Sequence, residues 1–221
     1  MAREENIAPD EYYHVLNRGI LGNNIFRDDA DRRRFLFLLF YFQSHKIVVT
    51  NVSEKTKEFK KVLQIEKLTE RIVENRDVEV ICFALMDNHF HLCLKEVTVG
   101  GISKYMQRIL NAYTKYFNTR YEQKGHIFQG PYKLVHVEGN DQLLYLSAYI
   151  HRNPRELPRW RNKEKNYWWS SYQDYVGKNR WGKLLCAEVI SNQFKSQKEY
   201  EDFLKSSGAK ATLDEQLLLE E

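Results

Sequence analysis

The chain carries only three cysteines, Cys82, Cys93 and Cys186. That is too few, and too scattered, for a disulfide scaffold or a zinc ribbon. Cys82 and Cys93 lie in apolar runs and read as small core residues. No apolar run approaches the roughly 18 residues that span a bilayer. The N-terminal "MAREENIAPDEYY" lacks the apolar core of a secretory signal. A protein of the reducing cytoplasm with no membrane partner is expected. Internal repeats, low-complexity tracts and a Walker-type phosphate loop are also missing.

Apolar material is plentiful. Of 221 residues, 43% are hydrophobic and 14% aromatic, enough for one sizeable core or a core with an appendage. The formal net charge of +4 hides an asymmetry. Residues Lys104 to Lys133 are basic and rich in tyrosine, whereas the tail Asp214–Glu221 is acidic.

Periodicity gives a coarse order of elements. "EYYHVLNRGI" reads as a first strand ending at Gly19. In "RDDADRRRFLFLLFYFQ", Asp28 or Asp29 can cap a helix. Arginines then line one face, and Phe35, Leu38, Leu39 and Phe42 recur at helical spacing. A charged stretch of about 44–80 reads as an insertion. "DVEVICFALMDNHFHLCLKE" is two apolar runs broken at Met86-Asp87-Asn88, a hairpin pattern. A long amphipathic helix follows, with Ile102, Tyr105, Met106, Ile109, Tyr113, Tyr116 and Phe117 on its apolar face. A fourth strand lies within "KGHIFQGPYKLVHVEG". Asn140 or Asp141 can cap a last long helix, which Pro154 stops. The strand–helix alternation predicts an α+β fold, an antiparallel sheet with helices packed mainly on one face. A small helical C-terminal extension would occupy 177–221, after a main domain of 1–176.

Two patterns could carry chemistry. In "NHFHL", strand alternation puts His89 and His91 on one face and Phe90 on the other, toward the core. Paired imidazoles can share a divalent cation, although a strand can also carry two histidines by chance. In "YIHRNP", Tyr149 and Asn153 are four apart and share a helix face. Asn offers a hard oxygen ligand and Tyr a phenol nucleophile; either could equally be a packing residue. Tyr113, Tyr116, Tyr121 and Tyr132 interleave with Lys115, Arg120, Lys124 and Lys133. That mixture suits single-stranded nucleic acid, or an amphipathic helix with a wet basic face. His14, His126, His136 and His151 read as surface or packing histidines.

Taken in order, "YYHVLNRG", "IFRDDADRRRFL", "ALMDNHFHL", "YTKYFNTRY", "GHIFQGPYK", "YIHRNP" and "WSSYQDY" resemble the IS200/IS605-like single-tyrosine (Y1) HUH transposases. The closer likeness is to the branch of REP-associated tyrosine transposases. Two positions depart from the family pattern: Pro131 stands where an Arg usually follows "QG", and Arg155 where an apolar residue usually follows "NP". The resemblance implies a ferredoxin/RRM-like core and metal-dependent cleavage and rejoining of single-stranded DNA. His89, His91 and Asn153 would be ligands of Mg²⁺ or Mn²⁺. Tyr149 would be the nucleophile forming a 5′-phosphotyrosine link. The substrate implied is a hairpin or palindromic repeat, with DNA contacts expected from Arg18, Arg120, Lys133 and Tyr132. A homodimer is possible, since relatives exchange the tyrosine helix between protomers. Rival readings are a metallohydrolase using activated water, a domesticated or inactive nucleic-acid-binding protein of the same fold, and a structural α+β protein.

Overall fold

The computed structural model describes residues 7–46, 66–209 and 213. Most of the expected insertion, 47–65, lies outside the described residues, as does the whole of the acidic tail Asp214–Glu221. The order is β1 (Tyr12–Arg18), α1 (Asp29–Tyr41), α2 (Glu66–Glu74), β2 (Val78–Leu85), β3 (His89–Glu96), α3 (Gly101–Arg120), β4 (Lys133–Val137) and α4 (Asn140–Arg152). Three shorter helices follow: α5 (Tyr172–Tyr175), α6 (Glu188–Ser191) and α7 (Gln197–Ser206).

The four strands form one antiparallel sheet in the order β2-β3-β1-β4. This is the α+β arrangement expected, with β1 and β3 in the centre. On β3, Phe90 points to the face covered by α1 and α3, where its ring meets Phe35 at 4.9 Å. The opposite face is covered as well. There α4 packs on β2 and β3, and the ring of Tyr149 reaches that of His91. A strand buried on both sides has no polar face, which is why β2, Val-Glu-Val-Ile-Cys-Phe-Ala-Leu, reads as a nearly unbroken apolar run.

Local chemistry sets the ends of the helices. Asp28 caps α1, its carboxylate accepting from the Ala30 and Asp31 amides. All of Phe35–Tyr41 is buried, so α1 is apolar all round rather than amphipathic. Two of its three arginines are drawn into the fold, Arg32 pairing with Asp87 and Arg34 lying over the ring of Tyr116 at 5.1 Å, while Arg33 is exposed. Helix α3 has to start tight against the sheet, because a Cβ on Gly101 would lie 2.4 Å from the Asp77 carbonyl. The buried Glu96 carboxylate accepts from the Gly101 and Ile102 amides there, at 3.0 and 2.7 Å. The cap of α4 is Gly139, not Asn140 or Asp141, and no side chain caps it. Gln142, in the first turn, accepts instead from the Glu138 amide just before the helix, at 2.6 Å.

The C-terminal segment shares the core of the rest. The Trp181 ring stacks on Phe40 at 4.7 Å, and Tyr200 of α7 sits beside Tyr175 at 5.2 Å. Cys82, Cys93 and Cys186 are buried and unbridged. Among the described residues, no helix is long and apolar enough to cross a membrane.

Candidate active site

The β2–β3 hairpin closes where the Met86 amide donates to the His89 carbonyl at 2.9 Å. Its turn is held from outside. The Ile25 and Phe26 amides donate to Asp87 O, and the Gly19 amide donates to Asn88 O. The Arg32–Asp87 ion pair adds a side-chain tether. The first residue of β3 is thereby fixed, and that residue is His89.

Each histidine has one nitrogen engaged on the protein side. His89 Nδ1 lies 2.7 Å from Asn88 Oδ1, and its Nε2 lies 3.2 Å from Asn153 Oδ1. The Asn88 amide is oriented by its own Nδ2, which donates to Gly22 O at 3.2 Å. Burial holds the His89 pKa down at about 4, against a smaller rise from Asn153 and a further lowering by Arg18. The ring is therefore neutral near pH 7 and has one N–H for two oxygen neighbours. With the proton on Nδ1, at the shorter contact, Nε2 would turn a lone pair toward the Asn153 oxygen. Two lone pairs facing one another are the arrangement a shared cation stabilises.

His91 is fully buried, and burial likewise holds it neutral. Its Nδ1 meets His14 Nε2 at 2.9 Å. Among the described residues its buried Nε2 has no hydrogen-bond partner, an uncommon state for a native polar atom. Among the described residues no three His, Cys, Asp or Glu side chains converge on one point. The third donor here is an amide. Two imidazole nitrogens and an amide oxygen suit Mn²⁺, or Mg²⁺ with retained waters, so the residues present fit the ion expected.

Helix α4 brings the other half. Tyr149 and Asn153 share its sheet-facing side, and the Tyr149 ring stands edge-on to His91, centroids 5.3 Å apart. His89, His91, Tyr149 and Asn153 therefore meet within a single chain. Tyr149 and Asn153 also line a cavity of about 370 Å³, together with Arg152, Arg155, Lys205 and the segment Ser207–Ala209. Arg155, one of the two departures from the family pattern, thus lines the same cavity as the tyrosine, as does Glu156. Sequence reasoning missed Lys205, which no local motif marks.

The expected DNA contacts fall in different places. Arg18 is half-buried and pairs in register with His89, beside the site. Lys133 is exposed on β4, and Tyr132 just before it is half-buried against the core. Arg120 is bound into the fold, pairing with Asp28 and with the buried Asp31 at 2.7 Å. Tyr116 and Tyr121 donate to the same Asp31 carboxylate, at 3.0 and 2.8 Å. Much of the basic, tyrosine-rich stretch therefore organises a buried acid. His136 is on the edge strand, paired with Glu11. His151 is buried away from the site, between Tyr200 and Ser171.

The family described as "Transposase IS200 like" matches residues 39–153, just over half of the chain, and the chain belongs to that family. No curated protein matches it significantly. A solved structure of a REP-associated tyrosine transposase bound to a REP hairpin has a similar fold. It is 13% identical, with a TM-score of 0.50, over 86% of this chain and 93% of that one.

Proposed function

We propose that this transposase cuts and rejoins single-stranded DNA through a covalent link to Tyr149, with one divalent cation at His89, His91 and Asn153. The observation that carries this reading is the meeting, in one chain, of the Tyr149 ring with His91 and of His89 with Asn153. When bound, Mg²⁺ or Mn²⁺ supplies a Lewis acid for a nonbridging oxygen of the scissile phosphate.

The phenol oxygen of Tyr149 attacks phosphorus. A P–O(tyrosine) bond forms and the P–O3′ bond breaks. The phenol loses a proton and the departing 3′-oxygen gains one. The downstream strand stays on the enzyme as a 5′-phosphotyrosine, and attack by another 3′-hydroxyl reverses the step. The bond energy is kept in the link, so no nucleotide cofactor is needed. Arg155 and Lys205, which line the same cavity as Tyr149, would hold flanking phosphates, and Arg18 would do so at the His89 end. Since the four side chains meet within one chain, Tyr149 acts in cis and a homodimer is not required. The substrate is a hairpin or palindromic repeat in single-stranded DNA, the ligand class named for the solved relative, met in the cytoplasm.

The test is a denaturing gel with hairpin oligonucleotides and Mn²⁺. A 3′-labelled strand should shift to a protein-linked band, and a 5′-labelled strand should shorten and run free. Tyr149→Phe should abolish both while Mn²⁺ still binds. Cleavage that survives Tyr149→Phe would favour a metal-activated water. DNA binding with no adduct under any metal would leave the chain a binding protein of this fold.

A further inference from the structure

His14 is one of five histidines outside the His89/His91 pair. It sits mid-strand on β1, opposite Cys93 and diagonal to His91, and is fully buried. Its ring lies edge to edge with that of His91, centroids 5.1 Å apart and planes 19° from parallel. Its Nε2 lies 2.9 Å from His91 Nδ1. The same ring meets Tyr149 edge-on, centroids 6.1 Å apart. A fully buried imidazole touching both a proposed ligand and the proposed nucleophile is more than filler, since leucine would be cheaper to bury there.

A hydrogen bond between two neutral imidazoles has one donor and one acceptor. Only one direction is compatible with a cation at His91 Nε2. If His14 Nε2 donates, His91 Nδ1 accepts and the His91 proton must sit on Nε2, where it blocks the metal. If His91 Nδ1 donates, His91 Nε2 is left as a lone pair. That nitrogen is the one buried without a partner among the described residues.

We infer that His14 is a positioning residue: its Nε2 accepts the proton of His91 Nδ1, and this fixes the His91 tautomer and ring plane so that Nε2 faces the cation. The inference rests on the proposed metal site. The outer partner of a ligating histidine is commonly a carboxylate, carbonyl or water; here a second imidazole fills that place. The consequence is that His14 itself must carry its proton on Nδ1.

Two measurements test this on the full chain. Long-range ¹H–¹⁵N NMR of the metal-free protein reads each tautomer directly. His91 should be protonated at Nδ1 and His14 also at Nδ1; a proton on His91 Nε2 overturns the inference. Mn²⁺ titration followed by electron paramagnetic resonance gives the second readout. His14→Phe, which keeps the volume but has no acceptor, should weaken Mn²⁺ binding by about 10- to 100-fold. His14→Gln, whose side-chain oxygen can replace Nε2, should recover most of that loss. Thermal melts of both metal-free variants separate folding from binding. Wild-type protein that binds Mn²⁺ no better than His14→Phe overturns the role of His14 and leaves the site standing. Wild-type protein that binds no Mn²⁺ removes the site, and the role of His14 with it.

Discussion

His89 Nε2 and Asn153 Oδ1 lie 3.2 Å apart, one at the first residue of a central strand and the other just past the end of a helix. Neither side chain is in the other's sequence neighbourhood. Asn153→Ala should remove the oxygen donor and leave the histidine pair. Mn²⁺ affinity should then drop at least about tenfold, some 1.4 kcal/mol, with little change in the melting temperature of the metal-free protein. Unchanged affinity by calorimetry would take Asn153 out of the ligand set.

Phe90 anchors the hairpin from the other side of the sheet. It is fully buried, against Phe35 and Phe128. Phe90→Ala should cost about 3–5 kcal/mol in urea unfolding. Phe90→Leu should cost less and retain Mn²⁺ binding, because the strand keeps its packing and the imidazoles their spacing.

Acid should destabilise the fold through buried histidines. Burial holds His151 at about 3 and His89 at about 4, against 6.5 when exposed. Between those values the unfolded chain takes up protons that the native state refuses, so the stability present above pH 6.5 is lost as pH falls. Each group contributes up to about 1.4 kcal/mol per pH unit in that window. Asp28, Asp77 and Glu201, all lowered from carboxylate values, act at still lower pH. Urea midpoints at pH 7, 6 and 5 should fall in that order. His151→Gln should flatten the slope, and an unchanged slope would refute the assignment.

Arg120 should prove to be a structural residue first. Asp31 is fully buried and faces Arg120, Tyr116 and Tyr121. Arg120→Ala strips the cation from that carboxylate. Removing one partner of a buried pair costs about 3–5 kcal/mol, and less here because Arg120 keeps 31% of its side-chain surface in water. A loss of about 2 kcal/mol in thermal or urea unfolding is expected. If stability is untouched and only DNA affinity falls, Arg120 is a phosphate contact as its sequence context suggested.

Arg155 and Lys205 come from different elements and line one cavity with Tyr149. If both hold phosphates, Arg155→Ala with Lys205→Ala should lower the slope of log affinity against log salt. The drop should be about 0.7 per lost contact for single-stranded DNA. Fluorescence anisotropy at several salt concentrations reads this. An unaltered slope would place the strand elsewhere.

The sequence by itself determined what neighbours along the chain can decide. The alternation in "NHFHL" put two imidazoles on one side of β3, and helical spacing put Tyr149 and Asn153 on one side of α4. The Asp28 cap, the hairpin at Met86-Asp87-Asn88 and all four strands were equally legible, because period, capping and turn chemistry act over a few residues. The family motifs then told which pieces belong together. Other features depended on strand order and packing between distant segments. That β4 is an edge strand, that α4 covers the histidine face, and that His14 touches His91 are written in no local pattern. Nor is it local that Asp31 gathers Arg120 and two tyrosines, or that Lys205 comes round to the tyrosine. Tertiary structure decided these. A side chain's role there depends on which distant groups share its buried volume, and burial turns an ordinary histidine or arginine into one that must find a partner.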